Sequence, residues 1–453
     1  MTWLTLANIV EMTNGTLHAT DTERSRSIAI ERLERDSRAV QAGDLFLALK
    51  GERFDAHDFV PQVVGKASAA LVAKPLDADI PQVVVDDVRL ALGRLAAAWR
   101  KQFHQPVVGL TGSNGKTTVK EMLTAILSLQ GDTLATLGNL NNDIGMPLTL
   151  LRLRPEQRFA VIEMGMNHFG EIDYLTRIAR PDIAIINNAG AAHLEGVGDL
   201  AGVARAKGEI FNGLSEQGIA VLNADDAYVD YWRGLNTGRR VITFGMANPA
   251  DVRGSIVDSQ LHIAANGQAV AVSLPLLGRH NQMNALAAAA AVLALGVSLE
   301  TVQRGLESLQ PVKGRLNPKP GKHGVMVIDD TYNANPTSTA AAVAVLAGLS
   351  GRKIMVLGDM GELGNTGEQL HAAIGQQAAA AGIDGLYTLG RLSANASQTF
   401  GKPDYAFTDL DTLLAALEQD LQPGTNVLVK GSRSARMERV VDALTAVAVR
   451  EAA

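Results

Sequence analysis

The sequence predicts an α/β protein of three units: a small α/β unit over residues 1–84, a central P-loop unit with a mostly parallel sheet over 85–313, and a Rossmann-like unit over 314–453. Three observations predict it. The chain has 453 residues, enough for about three domains of ordinary size. From Val107 onward, short apolar runs alternate with stretches of helical periodicity, the pattern of parallel strands joined by crossover helices. Finally, TGSNGKTT, Thr111 to Thr118, stands between an apolar run and a helical pattern, in the order strand, glycine loop, helix.

The first unit mixes short pieces of both kinds. Leu45, Leu47 and Leu49 follow period two, as in a half-buried strand, and Lys50-Gly51 turns the chain after them. The texts DSR (Asp36 to Arg38) and GDLFLALKGERFDAHDF (Gly43 to Phe59) contain no catalytic set by chemistry alone. Val83 to Val85 reads as a last strand, and Val88 to Phe103 as a helix crossing into the central unit.

In the central unit, Val107 to Leu110 leads into Gly112, Ser113, Asn114, Gly115, Lys116, Thr117 and Thr118. A loop of this kind turns backbone N–H groups toward one point at a helix N-terminus, where unpaired donors and the helix dipole both favour phosphate. Lys116 is placed to reach the terminal phosphates and the Thr117 hydroxyl a magnesium ion. The general Walker pattern is not met, because Leu110 stands where its first glycine belongs. Two further strands end in polar residues: Phe159 to Ile162 in Glu163, and Ile183 to Ile186 in Asn187-Asn188. Functional residues of such sheets gather at these carboxyl ends. Glu163, beside the phosphate loop, is where a magnesium ligand belongs. His193 follows the third strand and is a candidate metal ligand, though alone it reads as a hydrogen-bonded structural histidine. Val252 to Leu276, with Asn266-Gly267 as its turn, predicts an antiparallel hairpin. GRHNQMN, Gly278 to Asn284, opens a long alanine-rich helix in which Asn281 or Asn284 is expected as the cap.

Val312 to Leu316 reads as a linker. Beyond it, Val325 to Ile328, Ile354 to Leu357, Leu386 to Leu389 and Val427 to Val429 are four short apolar runs separated by helical patterns, a dinucleotide-fold arrangement. DDTYNANP stands where G-x-G-x-x-G would follow the first strand, so a dehydrogenase is not expected.

Composition narrows the classes. A hydrophobic content of 47% is globular, and a net charge of −6 with pI near 5.9 invites neither a nucleic-acid backbone nor an anionic membrane. Arg433, Arg436 and Arg439 read as a solvated helix face. The absence of cysteine excludes disulfides and thiol nucleophiles and fits a reducing compartment. MTWLTLANIVE has no basic leader, so no signal peptide is expected. The longest apolar run, Ala285 to Val297, is about 13 residues, too short to span a bilayer. These features predict a cytoplasmic protein without membrane insertion.

TGSNGKTT, VIEMG, NNAGAAHLEG and AKGEIF occur here in an order and at a spacing that resemble the Mur ligase family over nearly the whole chain. DDTYNANPTS (Asp329 to Ser338), LGDMGELG (Leu357 to Gly364), KGSRSARME (Lys430 to Glu438) and TLGNLNNDIGMPLT look like the member that adds D-alanyl-D-alanine to UDP-N-acetylmuramoyl-tripeptide. The DNPR text of the diaminopimelate-adding member is missing, and GKTT replaces the GKGS usual in folylpolyglutamate synthetases. The resemblance implies a monomer using ATP and two magnesium ions, with the acyl phosphate of the tripeptide as intermediate. It implies that Lys207 is carbamylated and helps to bind the second ion, alongside Thr117, Glu163 and His193. It places Asn281 at the adenine, Arg315 at the phosphates, Asp330 at the ribose and Tyr332 near the base. Asn142, Asn333 and Asn335 become candidates near the acceptor substrates, and Ser37, Arg38, Lys50 and His57 candidates for the uridine and pyrophosphate end. Lys116, Lys207, His193 and Arg315 are then the catalytic set. A sister Mur ligase or a folylpolyglutamate-type ligase is the alternative within the class, with a P-loop ATPase or a non-catalytic nucleotide-binding scaffold as rivals outside it.

Overall fold

The computed structural model describes residues 4–51, 54–310 and 312–445. Met1 to Trp3 of the N-terminal reading, Glu52 and Arg53 of the first-unit text, and Pro311 ahead of the linker lie outside the described residues. A first, five-stranded sheet runs in the spatial order Thr16–His18, Gln82–Val84, Ala69–Val72, Asp44–Leu47, Arg32–Glu34, parallel except for its first pair. Asp44–Leu47 lies in its interior and is buried at every position. The expected alternation is therefore corrected: a strand covered on both faces is apolar on both, and Leu49 lies beyond its end.

Helix Val88–Arg100 starts where the Asp87 carboxylate accepts the Leu90 N–H at 2.9 Å, a side-chain cap on an orphan donor. It packs on helix Leu6–Thr13 on one side and on helices Gly145–Leu150 and Glu171–Ala179 on the other. It ends short of the predicted Phe103, because the buried Arg100 guanidinium takes the Phe103 and Ala179 carbonyls at 2.6 and 3.0 Å.

The second sheet has nine strands. Val107–Thr111 sits inside it, flanked by Ile183–Ile186 and Phe159–Glu163, both parallel to it. Register sets Glu163 beside Leu110 and Ile186 beside Thr111, so three strand ends open at one level. At the far edge, Val252–Val257, Gln260–Ala265 and Gln268–Val272 form a three-stranded antiparallel meander, where a single hairpin is predicted. The extra turn is Asp258-Ser259, both left-handed (φ 50° and 65°) like Asn266-Gly267 (52° and 76°), without the Asn-Gly text that marks such turns.

Helix Arg279–Ala294 packs on the phosphate-loop helix Lys116–Ser128 and on strand Arg240–Gly245. Ala285 to Val292 are wholly buried, and the alanines let the helices approach closely. The cap prediction fails here: the N-cap is Gly278, with no side-chain cap bond. Asn281 and Asn284 are inside the helix, their amides donating to the Leu277 carbonyl and to Asn281 Oδ1.

The third sheet follows the order Asn317–Pro320, Met326–Asp330, Asn426–Lys430, Lys353–Gly358, Gly385–Leu389, Ala406–Phe407. It contains the four predicted strands and two edge strands that were not predicted. The first edge carries Pro318 and Pro320, and proline, which lacks a ladder donor, belongs at an edge. Arg433, Arg436 and Arg439 are exposed but share no helix face: Arg433 is in a 3-10 turn, Arg436 is left-handed, and only Arg439 lies in helix Glu438–Thr445. No helix of the described residues is long and apolar enough to cross a membrane.

Candidate active site

The phosphate loop is held from outside by amides. The Ser113 hydroxyl donates to the Gly190 carbonyl (2.9 Å) and accepts the Gly190 N–H (2.8 Å). Asn188 Oδ1 accepts the Asn114 N–H at 2.9 Å, while the Asn187 and Asn188 amides donate to the Asn114 carbonyl at 2.9 and 3.0 Å. Gly115 caps helix Lys116–Ser128 with φ of 79°, and a Cβ there would lie 2.3 Å from Asn284 Oδ1 and 2.7 Å from Asn187 Nδ2. Gly115→Ala should therefore combine backbone strain of about 1–3 kcal/mol with loss of this amide packing. Calorimetric titration with ATP is expected to show at least ~10-fold weaker binding. The Lys116 ammonium folds back onto the Gly112 carbonyl at 2.8 Å. Burial pushes it below the ordinary lysine range, with Glu163 opposing.

A cavity of about 980 Å³ opens between the second and third sheets, with the loop from Ser113 to Thr118 on its floor. Glu163 lines it, 2% exposed. Its Oε1 accepts the Asn141 amide at 2.7 Å, and its buried Oε2 has no hydrogen-bond partner. His193 also lines it, in a left-handed conformation (φ 57°) that turns its ring toward Glu362, Nδ1 to Oε2 at 2.7 Å. That contact holds the Glu362 carboxyl below the usual range. Lys207 does not line the cavity; it is 1% exposed, near the end of helix Leu200–Gly208. Burial first, then repulsion from Lys116, pushes its amine well below the ordinary lysine range.

The opposite wall comes from the third unit and the linker. Arg315 reaches across, Nη2 donating to Thr117 Oγ1 at 2.8 Å, with its guanidinium 4.1 Å from the Tyr332 ring centre. Asp330 ends its strand with Oδ1 on the Leu316 N–H (3.2 Å) and Oδ2 on the Lys430 ammonium (2.6 Å). Burial nonetheless holds its carboxyl above the usual range. The Lys430 ammonium also binds the Asn333 carbonyl at 3.0 Å. Asn281 lines the cavity with its amide on the Leu277 carbonyl (2.7 Å), and Asn284 donates to Asn281 Oδ1 at 3.1 Å. Asn142 is there too, its Oδ1 accepting the Gly145 N–H at 2.9 Å.

The four first-unit candidates do not join this cavity. Ser37, Arg38 and Lys50 lie at or near the surface of the first unit, Arg38 paired with Asp36 at 2.7 Å. His57 is buried, Nδ1 against Asp55 Oδ1 (2.6 Å) and Nε2 accepting the Ala73 N–H (2.8 Å). Both its ring nitrogens are engaged within the first unit. Sequence reasoning missed Glu362, Lys430 and His280, the last pushed down to about 4 by burial and by Lys430. It also missed Asn141 on Glu163, and that the strand-end amides Asn187 and Asn188 bind the Asn114 carbonyl while Asn187 also meets Asn284. The available signal was a polar residue closing a buried parallel strand, as at Asn187 and Lys430.

The Mur ligase middle domain matches residues 110–292, the Mur ligase glutamate ligase domain 314–433, and the Mur ligase catalytic domain family 29–100. The UDP-N-acetylmuramoyl-tripeptide--D-alanyl-D-alanine ligase of Escherichia coli K12 is 47% identical over 453 residues, covering 97% of this chain and 98% of its own. A crystal structure of MurF from Acinetobacter baumannii superposes with a TM-score of 0.92 at 42% identity, over 97% of this chain and 98% of that one. The MurF ligase of Thermotoga maritima in complex with ADP gives 0.81 at 30% identity, over 91% and 96%. With three domain families matched in order along the chain and near-complete coverage of close relatives, this protein belongs to the Mur ligase family.

Proposed function

We propose that this chain uses ATP to join D-alanyl-D-alanine to the tripeptide carboxylate of UDP-N-acetylmuramoyl-tripeptide. The observation that carries the reading is one cavity shared by a phosphate loop, a buried carboxylate oxygen without a partner and an arginine from a second unit. The full-length relatives that bear this activity in their names support it. A carboxylate reacts poorly with an amine because its leaving group would be oxide. Transfer of the γ-phosphoryl group to the tripeptide carboxylate gives an acyl phosphate and ADP; the dipeptide amine then attacks the carbonyl carbon and phosphate leaves. Lys116 and Arg315 hold and neutralise the phosphoryl oxygens. Asn281 and Tyr332 face the base, Asp330 the ribose, and Asn142, Asn333 and Asn335 the acceptor substrates. Ser37, Arg38, Lys50 and His57 serve the uridine and pyrophosphate end. Units divided near residues 84 and 313 each carry one ligand, and the third excludes water from the acyl phosphate. The enzyme acts as a cytoplasmic monomer.

Magnesium fits the donor set. Bound magnesium supplies positive charge to the transferring phosphoryl oxygens. The described residues hold no cluster of three or more His, Asp, Glu or Cys, but magnesium takes only one or two carboxylates and fills its shell from phosphates and water. Thr117, Glu163 with its free Oε2, His193 and a carbamylated Lys207 would hold two ions. Carbamylation joins the neutral amine to carbon dioxide with loss of a proton, and the lowered proton affinity of Lys207 favours that neutral form.

The test is phosphate release with magnesium, ATP, the UDP-tripeptide and the dipeptide, each omitted in turn, with product mass determined. Release that needs all four, with the pentapeptide formed, is expected. Release from ATP alone, or none with any acceptor, overturns the proposal.

A further inference from the structure

Contacts between the third unit and the phosphate-loop region fall into two kinds. Arg315 on Thr117, and Glu362 on His193, engage groups that phosphoryl chemistry needs, so both pairs must exchange partners when substrate binds. The other kind need not change. The Ala191 N–H donates to Thr337 Oγ1 at 3.3 Å, and Asn335 Nδ2 donates to Asn114 Oδ1 at 2.8 Å. The second of these joins two side-chain amides.

Asn335 is also the N-cap of helix Pro336–Ala347. Its Oδ1 accepts the Ser338 N–H at 2.8 Å, and Ser338 Oγ accepts the Asn335 N–H at 3.1 Å, a complete capping box. Aspartate or serine would cap this helix about as well. Only asparagine caps with an oxygen and still has an N–H to donate on the same side chain. The receiving side is equally fixed, because the Asn114 backbone is held on both its N–H and its carbonyl by Asn187 and Asn188.

We propose that Asn335 is a positioning residue that registers the third unit on the phosphate loop. One end of its amide caps the helix and the other ties that helix to Asn114 at the loop tip. The strand end at Asp330 and the segment through Asn333 are thereby held over the loop where nucleotide binds, and losing the tie adds an ordering cost to that binding. This rests on nucleotide binding at the phosphate loop.

Asn335→Ser and Asn335→Asp in the full chain separate cap from bridge. Serine keeps the cap and lacks the reach. Aspartate keeps the cap and can accept from Asn114 Nδ2, which has no partner, if that amide turns over. With magnesium and a non-hydrolysable ATP analogue, N335S should bind about 2- to 10-fold more weakly. The ATP KM should rise by the same factor, with the melting temperature unchanged. With the analogue bound, its radius of gyration by small-angle scattering should exceed the parent's, whereas N335D, which keeps both cap and bridge, should keep the parent's dimensions. Parental affinity and dimensions in N335S, or equal expansion of N335S and N335D, would overturn the bridge. Failure of the parent chain itself to bind the analogue would overturn the phosphate-loop reading, and the bridge with it.

Discussion

Replacing Lys116 with alanine should lower ligation by about 10³-fold or more, the range seen when a cation or donor on a transferring phosphoryl group is removed. Its ammonium donates to the Gly112 carbonyl at 2.8 Å, an intraloop contact that phosphates would replace. Burial lowers its proton affinity, and an anion beside it would restore it. The expected result is loss of phosphate release and of pentapeptide product, with an unchanged circular dichroism spectrum, because no other part of the fold hangs on that ammonium. Near-normal turnover by Lys116→Ala would remove the phosphate loop from the reaction.

Lys207→Ala should lose about 10²–10³-fold in activity, and short carboxylic acids should restore part of it by supplying the missing carboxylate. A fully active variant would eliminate the carbamate. A second measurement does not depend on turnover. The Lys207 amine is held well below its unfolded value of 10.5, chiefly by burial. Between its folded and unfolded pKa values the unfolded chain binds more protons, so this group makes stability rise with pH and costs stability fully below the folded value. In buffer free of carbon dioxide and metal, Lys207→Met should therefore melt about 2 °C or more above the parent at pH 7. The difference should shrink toward pH 10. A variant that melts lower at every pH would mean that the amine makes a stabilising contact in the native state.

What could be read from the letters, and what could not, follows from how far each signal reaches along the chain. The order strand, loop, helix at Val107 to Leu129 needs only neighbouring residues, and it is present as Val107–Thr111 and Lys116–Ser128. Local pattern misjudged the caps and turns whose partners are remote. Asn281 and Asn284 look like caps in sequence, yet Asn284 Oδ1 receives the Asn187 amide at 2.7 Å from a strand 97 residues away.

By itself the sequence determined the α/β class, the phosphate loop and the strand-end positions of Glu163 and Asp330, because hydrophobic period and glycine chemistry act over a few residues. Only the tertiary structure decided that Arg315 meets Thr117, that Glu163 keeps a buried oxygen unpaired, and that Asn335 both caps a helix and reaches Asn114. Those facts depend on sheet register and on how one unit docks against another. Both are set by packing summed over hundreds of residues, which no short stretch of letters encodes.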